Sequence, residues 1–223
     1  AGLIDRSMTT TDTIAAISTS VGEAAISVVR LTGPQAHTIL GRAFRARRPV
    51  SELTPRATHL GHVLGPDGSV IDHALGILFQ GPASYTGEDT AEIHCHGGIL
   101  VTQKVLSTLL HHGARQADAG EFTQRAFLNG KMDLTQAEAV MDLIHAQSTL
   151  AVRAANEQLE GRIGKQADTM RTGLIAILAH IEAYIDFPDE DISPETGEAL
   201  QARLTALLTQ TQQLLATSEH GPL

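Results

Sequence analysis

The stretch Gly120-Glu-Phe-Thr-Gln-Arg125-Ala-Phe-Leu-Asn129-Gly130-Lys131-Met-Asp133-Leu134-Thr135-Gln-Ala-Glu138-Ala-Val140-Met-Asp-Leu143-Ile144-His-Ala146 marks where the chain changes character. Upstream the sequence reads as mixed strand and helix; downstream apolar residues recur every three or four residues, the period of helices. Asn129-Gly130 is a turn signal, because both residue types tolerate positive φ. Thr135 and Glu138 have capping-box spacing ahead of the apolar repeat Val140, Leu143, Ile144, so a helix is expected to start here. Lys131 is thereby held on a turn just before a helix, a place suited to an anionic or carbonyl-bearing ligand. The fold class expected is an α/β (α+β) domain over residues 8–125, followed by an all-α domain over 126–223.

Working outward, the strand period is clearest in Thr90 to His96. Ala91, Ile93 and Cys95 point to one side and Glu92, His94 and His96 to the other, which displays one carboxylate and two imidazoles in a row. Three readings fit that row: a solvated strand face, a His-x-His metal chelate lacking a clear third ligand, or a carboxylate that recognises a heterocycle. A carboxylate can accept two parallel hydrogen bonds from an amine and a neighbouring ring N–H, as an aminopyrimidinone edge offers. Arg30 ends the apolar strand Ile26-Ser27-Val28-Val29 and precedes a turn, and strand ends often carry binding residues. Arg125 has Glu121 and Asp133 as candidate partners.

The remaining elements follow the same logic. Ile14 to Ile17 and Ala25 to Leu31 read as strands, Gln35 to Arg42 as a helix, and His59 to Leu64 with Val70 to Phe79 as a hairpin around Gly65-Pro66-Asp67-Gly68. Ile99 to His112 reads as an amphipathic helix burying Val101, Val105, Leu106, Leu109 and Leu110, closed by Gly113. Between the first helix and the hairpin, Arg45, Arg47 and Arg48 form a small basic cluster whose plain reading is a solvated loop. Leu159, Ile163, Ala167, Met170, Leu174, Ile177 and Ile181 predict one long bundle helix, ended by the acidic break around Pro188. Ser193-Pro194 then starts a last helix lined by Leu200, Leu204, Leu207, Leu208, Leu214 and Leu215.

Composition limits the function. Of 223 residues, 42% are hydrophobic, ample for a packed core, and 16 basic against 25 acidic residues give a net charge of −9. That charge argues against a chain that grips nucleic acid unaided over its whole surface, while leaving room for a local basic patch. The single cysteine, Cys95, forms no internal disulfide and faces the apolar side of its strand, which makes it a core thiol. No apolar run is long enough to span a bilayer and no signal peptide is visible, so a cytoplasmic protein is expected. Ala1 to Ser7 precede Met8, which reads as the initiator, and are set aside as a cloning remnant. Gly161-Arg-Ile-Gly164-Lys165-Gln166 is rejected as a P-loop, since it lacks the first glycine at the required spacing, the Ser/Thr after lysine and a preceding strand.

Taken together, Asp12-Thr-Ile-Ala-Ala-Ile17, Ser84-Tyr-Thr-Gly-Glu-Asp89, Glu92-Ile-His-Cys-His-Gly-Gly98, Gly120 to Ala139 and Ile185-Asp-Phe-Pro-Asp-Glu-Asp191 resemble the tRNA-modification GTPase family MnmE, also called TrmE. The resemblance covers residues 10 to 220. It implies an N-terminal domain similar to the folate-binding domain of aminomethyltransferases, followed by a helical domain. It also implies a homodimer formed through the N-terminal domain and bound 5-formyltetrahydrofolate. With the flavoprotein partner MnmG (GidA), the family modifies carbon 5 of the wobble uridine in tRNA. By motif position, Arg30, Glu92 and Lys131 match the family's folate contacts. In the family, GTP, magnesium and potassium belong to a GTPase domain that interrupts the helical domain, and a functional cysteine lies in a C-terminal helical segment. Residues 126–223 then form a partial helical domain, expected to expose an apolar face or self-associate and not to hydrolyse GTP by itself. The alternatives are a standalone folate-dependent one-carbon transferase and a purely structural dimerisation domain.

Overall fold

The computed structural model describes residues 12–186 and 197–218. They divide into two compact units between Met132 and Asp133. The helix that carries Arg125 lies wholly before that division.

The first unit is built on one sheet. Its elements in chain order are β1 (Ile14–Ile17), β2 (Ala24–Thr32), α1 (Ala36–Ala43), β3 (Phe44–Ala46), β4 (His59–Leu64), β5 (Val70–Phe79), β6 (Thr90–Gly97), α2 (Ile99–His111), β7 (Arg115–Gln116) and α3 (Glu121–Leu128). The seven strands are ordered β3-β4-β5-β6-β2-β1-β7. All neighbours are antiparallel except β1 and β7, which run parallel.

The alternation in β6 decides which side is covered. Ala91, Ile93 and Cys95 are buried in one cluster with Ile39 and Leu40 of α1 and Val105 and Leu109 of α2. Of the five residues expected to face inward on α2, Val105 and Leu109 are fully buried, while Val101, Leu106 and Leu110 pack more loosely against the same core. Thr102 and Thr108 are buried beside them, and the Thr102 hydroxyl donates to the Gly98 carbonyl at 3.0 Å. Gly113, with φ +109, closes the helix in the left-handed region that favours glycine. The other face of the sheet carries Arg30, Glu92 and His94 among apolar neighbours that stay exposed: Ile26 at 61%, Leu60 at 71% and Leu75 at 37%.

The short strand β3 escapes sequence reading because three residues hold no period. It is fixed by the buried Phe44 ring, which lies over Gly61 of β4 and Gly76 of β5. A Cβ at Gly61 would come within 2.5 Å of both the Phe44 ring and the Arg45 carbonyl, so glycine leaves the slot into which Phe44 fits.

The second unit is helical: α4 (Leu134–His145), α5 (Thr149–Leu159), α6 (Arg162–Asp186) and α7 (Gly197–Ser218). The capping box at the start of α4 is formed by Asp133 and Gln136, correcting the expected Thr135–Glu138 pair. Asp133 Oδ1 accepts from the Gln136 backbone N–H at 2.8 Å, and Gln136 Oε1 accepts from the Asp133 N–H at 2.9 Å. The single long helix expected through Leu159 to Ile181 is two. Gly161, with φ +70, ends the run begun by α5, and the Gln136 side chain donates to the Leu159 carbonyl exposed at that joint. Gly161 to Gln166 is therefore a helix joint followed by a helix, with no strand leading into it. On α6 and α7, Leu174, Ile175, Leu178, Ile185, Leu204, Leu208 and Leu215 remain exposed. The Pro188 break and the Ser193-Pro194 helix start lie outside the described residues. None of the described helices is long and apolar enough to cross a membrane.

Candidate functional site

Arg30 and Glu92 meet because β2 and β6 place them directly opposite each other in the antiparallel ladder. Arg30 Nε donates to Glu92 Oε1 at 2.9 Å, and Nη2 lies 2.7 Å from the same oxygen. His94 shares that face of β6, and its Nε2–H donates to Glu92 Oε2 at 2.9 Å. Burial by itself would raise the Glu92 carboxyl, but the hydrogen bonds from His94 and Arg30 outweigh it and hold the group below its ordinary value. Glu92 thus stays an ionised acceptor although its side chain is only 13% exposed.

Two aromatic rings complete this end of the sheet face. The Arg30 guanidinium lies 5.3 Å from the centre of the Tyr85 ring and 5.9 Å from that of Phe122, within cation–π range. Tyr85 comes from the loop between β5 and β6, Phe122 from the first turn of α3. The two are linked where the Tyr85 hydroxyl meets the Thr123 hydroxyl at 2.9 Å.

Lys131 is tied to that same loop. Its Nζ donates to the Pro82 carbonyl at 3.0 Å, and its stem packs against Gly87. The Asn129 amide donates to the Thr86 carbonyl at 2.7 Å, and Gly130 adopts φ +69, which fixes the turn that carries the lysine. Of the three residues singled out from sequence, Arg30 and Glu92 are in direct contact, and Lys131 joins them through loop 81–89. Tyr85 and Phe122 were not singled out, because ring stacking on an arginine two strands away leaves no spacing signal.

The donor set suits a flat heterocycle. Glu92 Oε1 takes both Arg30 contacts, while Oε2 takes one hydrogen bond, from His94, and keeps acceptor capacity for a second; Arg30 has donors beyond the two used on Glu92. Among the described residues no group of three His, Cys, Asp or Glu is placed to hold a metal ion. His96 instead meets Asp72 Oδ1 through Nδ1 at 2.7 Å, while its backbone N–H donates to Asp72 Oδ2 at 2.7 Å. Cys95 is buried, and desolvation pushes its thiol up, so it is an inert part of the core.

Behind the site lies a buried ion network. Arg125, 1% exposed, donates to the Asp12 carbonyl at 2.9 Å, to Asp12 Oδ1 at 2.7 Å, to Glu121 Oε1 at 2.9 Å and to Glu88 Oε2 at 3.3 Å. Its partners are therefore Glu121, Asp12 and Glu88, in place of the expected alternative Asp133. Arg115 adds a second guanidinium, bonded to Glu121 at 2.6 and 3.1 Å and to Asp12 at 2.7 Å. Burial works against the Glu121 charge, yet its bonds to Arg115, the Asp118 N–H and Arg125 hold its carboxyl at about 2. Glu88 also accepts from the buried Thr32 hydroxyl at 3.2 Å, which links this network to the loop that carries Tyr85.

Comparison with known proteins agrees with this architecture. Residues 13–131 match the family model "GTP-binding protein TrmE N-terminus", and residues 134–223 match "MnmE helical domain". A curated tRNA modification GTPase MnmE from Akkermansia muciniphila is 54% identical over 95% of this chain and 47% of its own length. That from Chloroflexus aurantiacus is 46% identical over 94% of the chain and 46% of its own length, and that from Bacillus subtilis 42% over 94% and 47%. The chain thus spans just under half the length of the relatives it matches. With both units matched by the family's own domain models, the chain belongs to the MnmE (TrmE) family of tRNA modification GTPases.

Proposed function

We propose that this chain is the folate-binding, dimer-forming part of a cytoplasmic tRNA-modification GTPase. The observation that carries the reading is the ionised, largely buried Glu92 held between Arg30 and His94. Glu92 accepts the amine and ring N–H of the pterin of 5-formyltetrahydrofolate, and Tyr85 and Phe122 supply apolar surface beside it. Arg30 and Lys131 meet carbonyl, formyl or carboxylate oxygens. When bound, 5-formyltetrahydrofolate would supply a one-carbon unit carried as a formyl group, at the formate oxidation level. The chain's residues bind and orient it and keep the carboxylate ionised. With the flavoprotein MnmG (GidA), the full protein places that unit on carbon 5 of the wobble uridine of tRNA. GTP, magnesium and potassium are assigned, by family resemblance, to a GTPase domain; Gly161 to Gln166 of this chain forms a helix joint and not a phosphate loop.

Calorimetric titration of 5-formyltetrahydrofolate into the chain and its Glu92→Gln variant tests the reading. The parent should bind, and the variant should lose about 1.5–3 kcal/mol, roughly ten- to a hundredfold, because one charged acceptor is lost. Equal affinity, or no binding by a parent chain that melts cooperatively, would discard the pterin role.

The homodimer is read from the open sheet face, where Ile26, Leu60 and Leu75 stay exposed beside the folate residues. A second copy of the same face would cover them.

A further inference from the structure

A concave surface lies at the opposite edge of the sheet from β7, where α1 runs directly into β3. It encloses about 740 Å³ and is lined by Arg42, Arg45, Arg47 and Arg48, together with His37 and Ser51. Four guanidiniums within seven residues of chain contrast with a net charge of −9. All four arginines are exposed, and among the described residues no acid forms an ion pair with any of them. Glu52, at the end of the 3-10 turn Val50–Glu52, is the nearest acid along the chain. Arg42 makes one long bond, to the His112 carbonyl at 3.4 Å.

The display is built into the fold. The Phe44 ring, seated over Gly61 and Gly76, clamps the segment between Arg42 and Arg45. Pairing of Phe44, Arg45 and Ala46 with Val63, His62 and Gly61 holds the strand extended. Pro49 then turns the chain into the 3-10 turn, so Arg47 and Arg48 are carried on a short ordered bend between two fixed elements.

We propose that this arginine cleft is a docking site for the phosphate backbone of RNA. Its donors are exposed and spread along an extended segment, which makes each contact weak and suits a ligand that repeats its charge. A compact phosphate would need buried, converging donors, and the cleft has none. The guanidinium fork matches phosphate oxygens in pairs, and this positioning is independent of base sequence. The inference rests on the tRNA part of the proposed function and not on folate, since none of the four arginines belongs to the Glu92 site.

The test is fluorescence anisotropy of a labelled, unmodified tRNA transcript with the full 223-residue chain over a series of potassium chloride concentrations. The triple variant Arg45→Gln/Arg47→Gln/Arg48→Gln should bind about tenfold or more weakly, and its slope of log K against log salt should be shallower by about 2–3, one for each lost phosphate contact. A control variant, Arg153→Gln/Arg162→Gln/Arg171→Gln, removes the same charge from the helical unit and should bind like the parent. The triple variant should still bind 5-formyltetrahydrofolate, which separates failure of this inference from failure of the folate reading. Equal losses in the two variants, an unchanged triple variant, or no tRNA binding by the parent would overturn the proposal. So would displacement of the RNA by a polyglutamate of equal charge as effectively as by unlabelled tRNA, which would assign the cleft to an acidic protein surface. Self-association of the triple variant without loss of RNA affinity would reduce the arginines to guards of an exposed strand edge, and also overturn it.

Discussion

Arg125 is the side chain on which the most charge converges. Removing it leaves Glu121, Glu88 and Asp12 facing one another around an emptied buried position. Arg125→Met should therefore destabilise the first unit by about 3–5 kcal/mol, measured by urea unfolding. Glu121 makes the same network sensitive to acid. Its carboxyl is held at about 2 in the folded chain against an ordinary 4.5. Because the folded value is the lower one, its contribution is complete above the unfolded value and disappears as pH falls from about 4.5 towards 2. The gap corresponds to about 3 kcal/mol. Glu121→Gln should accordingly lower stability at pH 7 and flatten the acid limb of the stability curve, followed by denaturant midpoints between pH 7 and 2. Little of this was legible beforehand. Glu121 stands four residues before Arg125 and can be found by helical spacing, whereas Asp12 is 113 residues away and leaves no local trace. Glu92 was readable for the opposite reason, since a strand with strict alternation announces which side chains share a face.

Elements were legible in proportion to the periods they contain. The hairpin of β4 and β5, the alternating β6 and the amphipathic α2 each hold enough residues to fix a period. β3 and β7, with three and two residues, do not, and exist because neighbours hold them. The joint between α5 and α6 was missed because the apolar stripe continues across it while the backbone does not. Gly161→Ala should cost about 1–2 kcal/mol, as the left-handed conformation penalises a Cβ. Gly61→Ala should cost more, about 1–3 kcal/mol and upwards, since its Cβ would overlap both the Phe44 ring and the Arg45 carbonyl. Thermal melts of the two variants rank them, and a larger effect at Gly161 would contradict the slot described for Phe44. The capping box teaches a related lesson. Thr135 and Glu138 have the right spacing, but Asp133 and Gln136 have it too, and the pair nearer the turn at Gly130 is the one used.

At the scale of the whole molecule, the division into a sheet unit and a helical unit was plain from the change of period at Gly120 to Ala146. How much apolar surface each unit leaves bare was not. If a second copy covers the open sheet face, Leu60→Glu with Leu75→Glu should halve the mass measured by light scattering, leaving the far-ultraviolet circular dichroism unchanged. A dimer that survives both changes would move the contact to the exposed residues of α6 and α7. The bond between Asp12 and Arg125 has a further consequence for biosynthesis. β1, the first strand of the sheet unit in chain order, takes β7 as one neighbour, and the carboxylate just ahead of it is neutralised by a helix made more than a hundred residues later. The sheet unit thus cannot complete its fold while it is being translated until α3 has emerged, and its open strand edge must be guarded through most of its own synthesis. Arrested nascent chains should become protease-resistant only once Arg125 has cleared the exit tunnel.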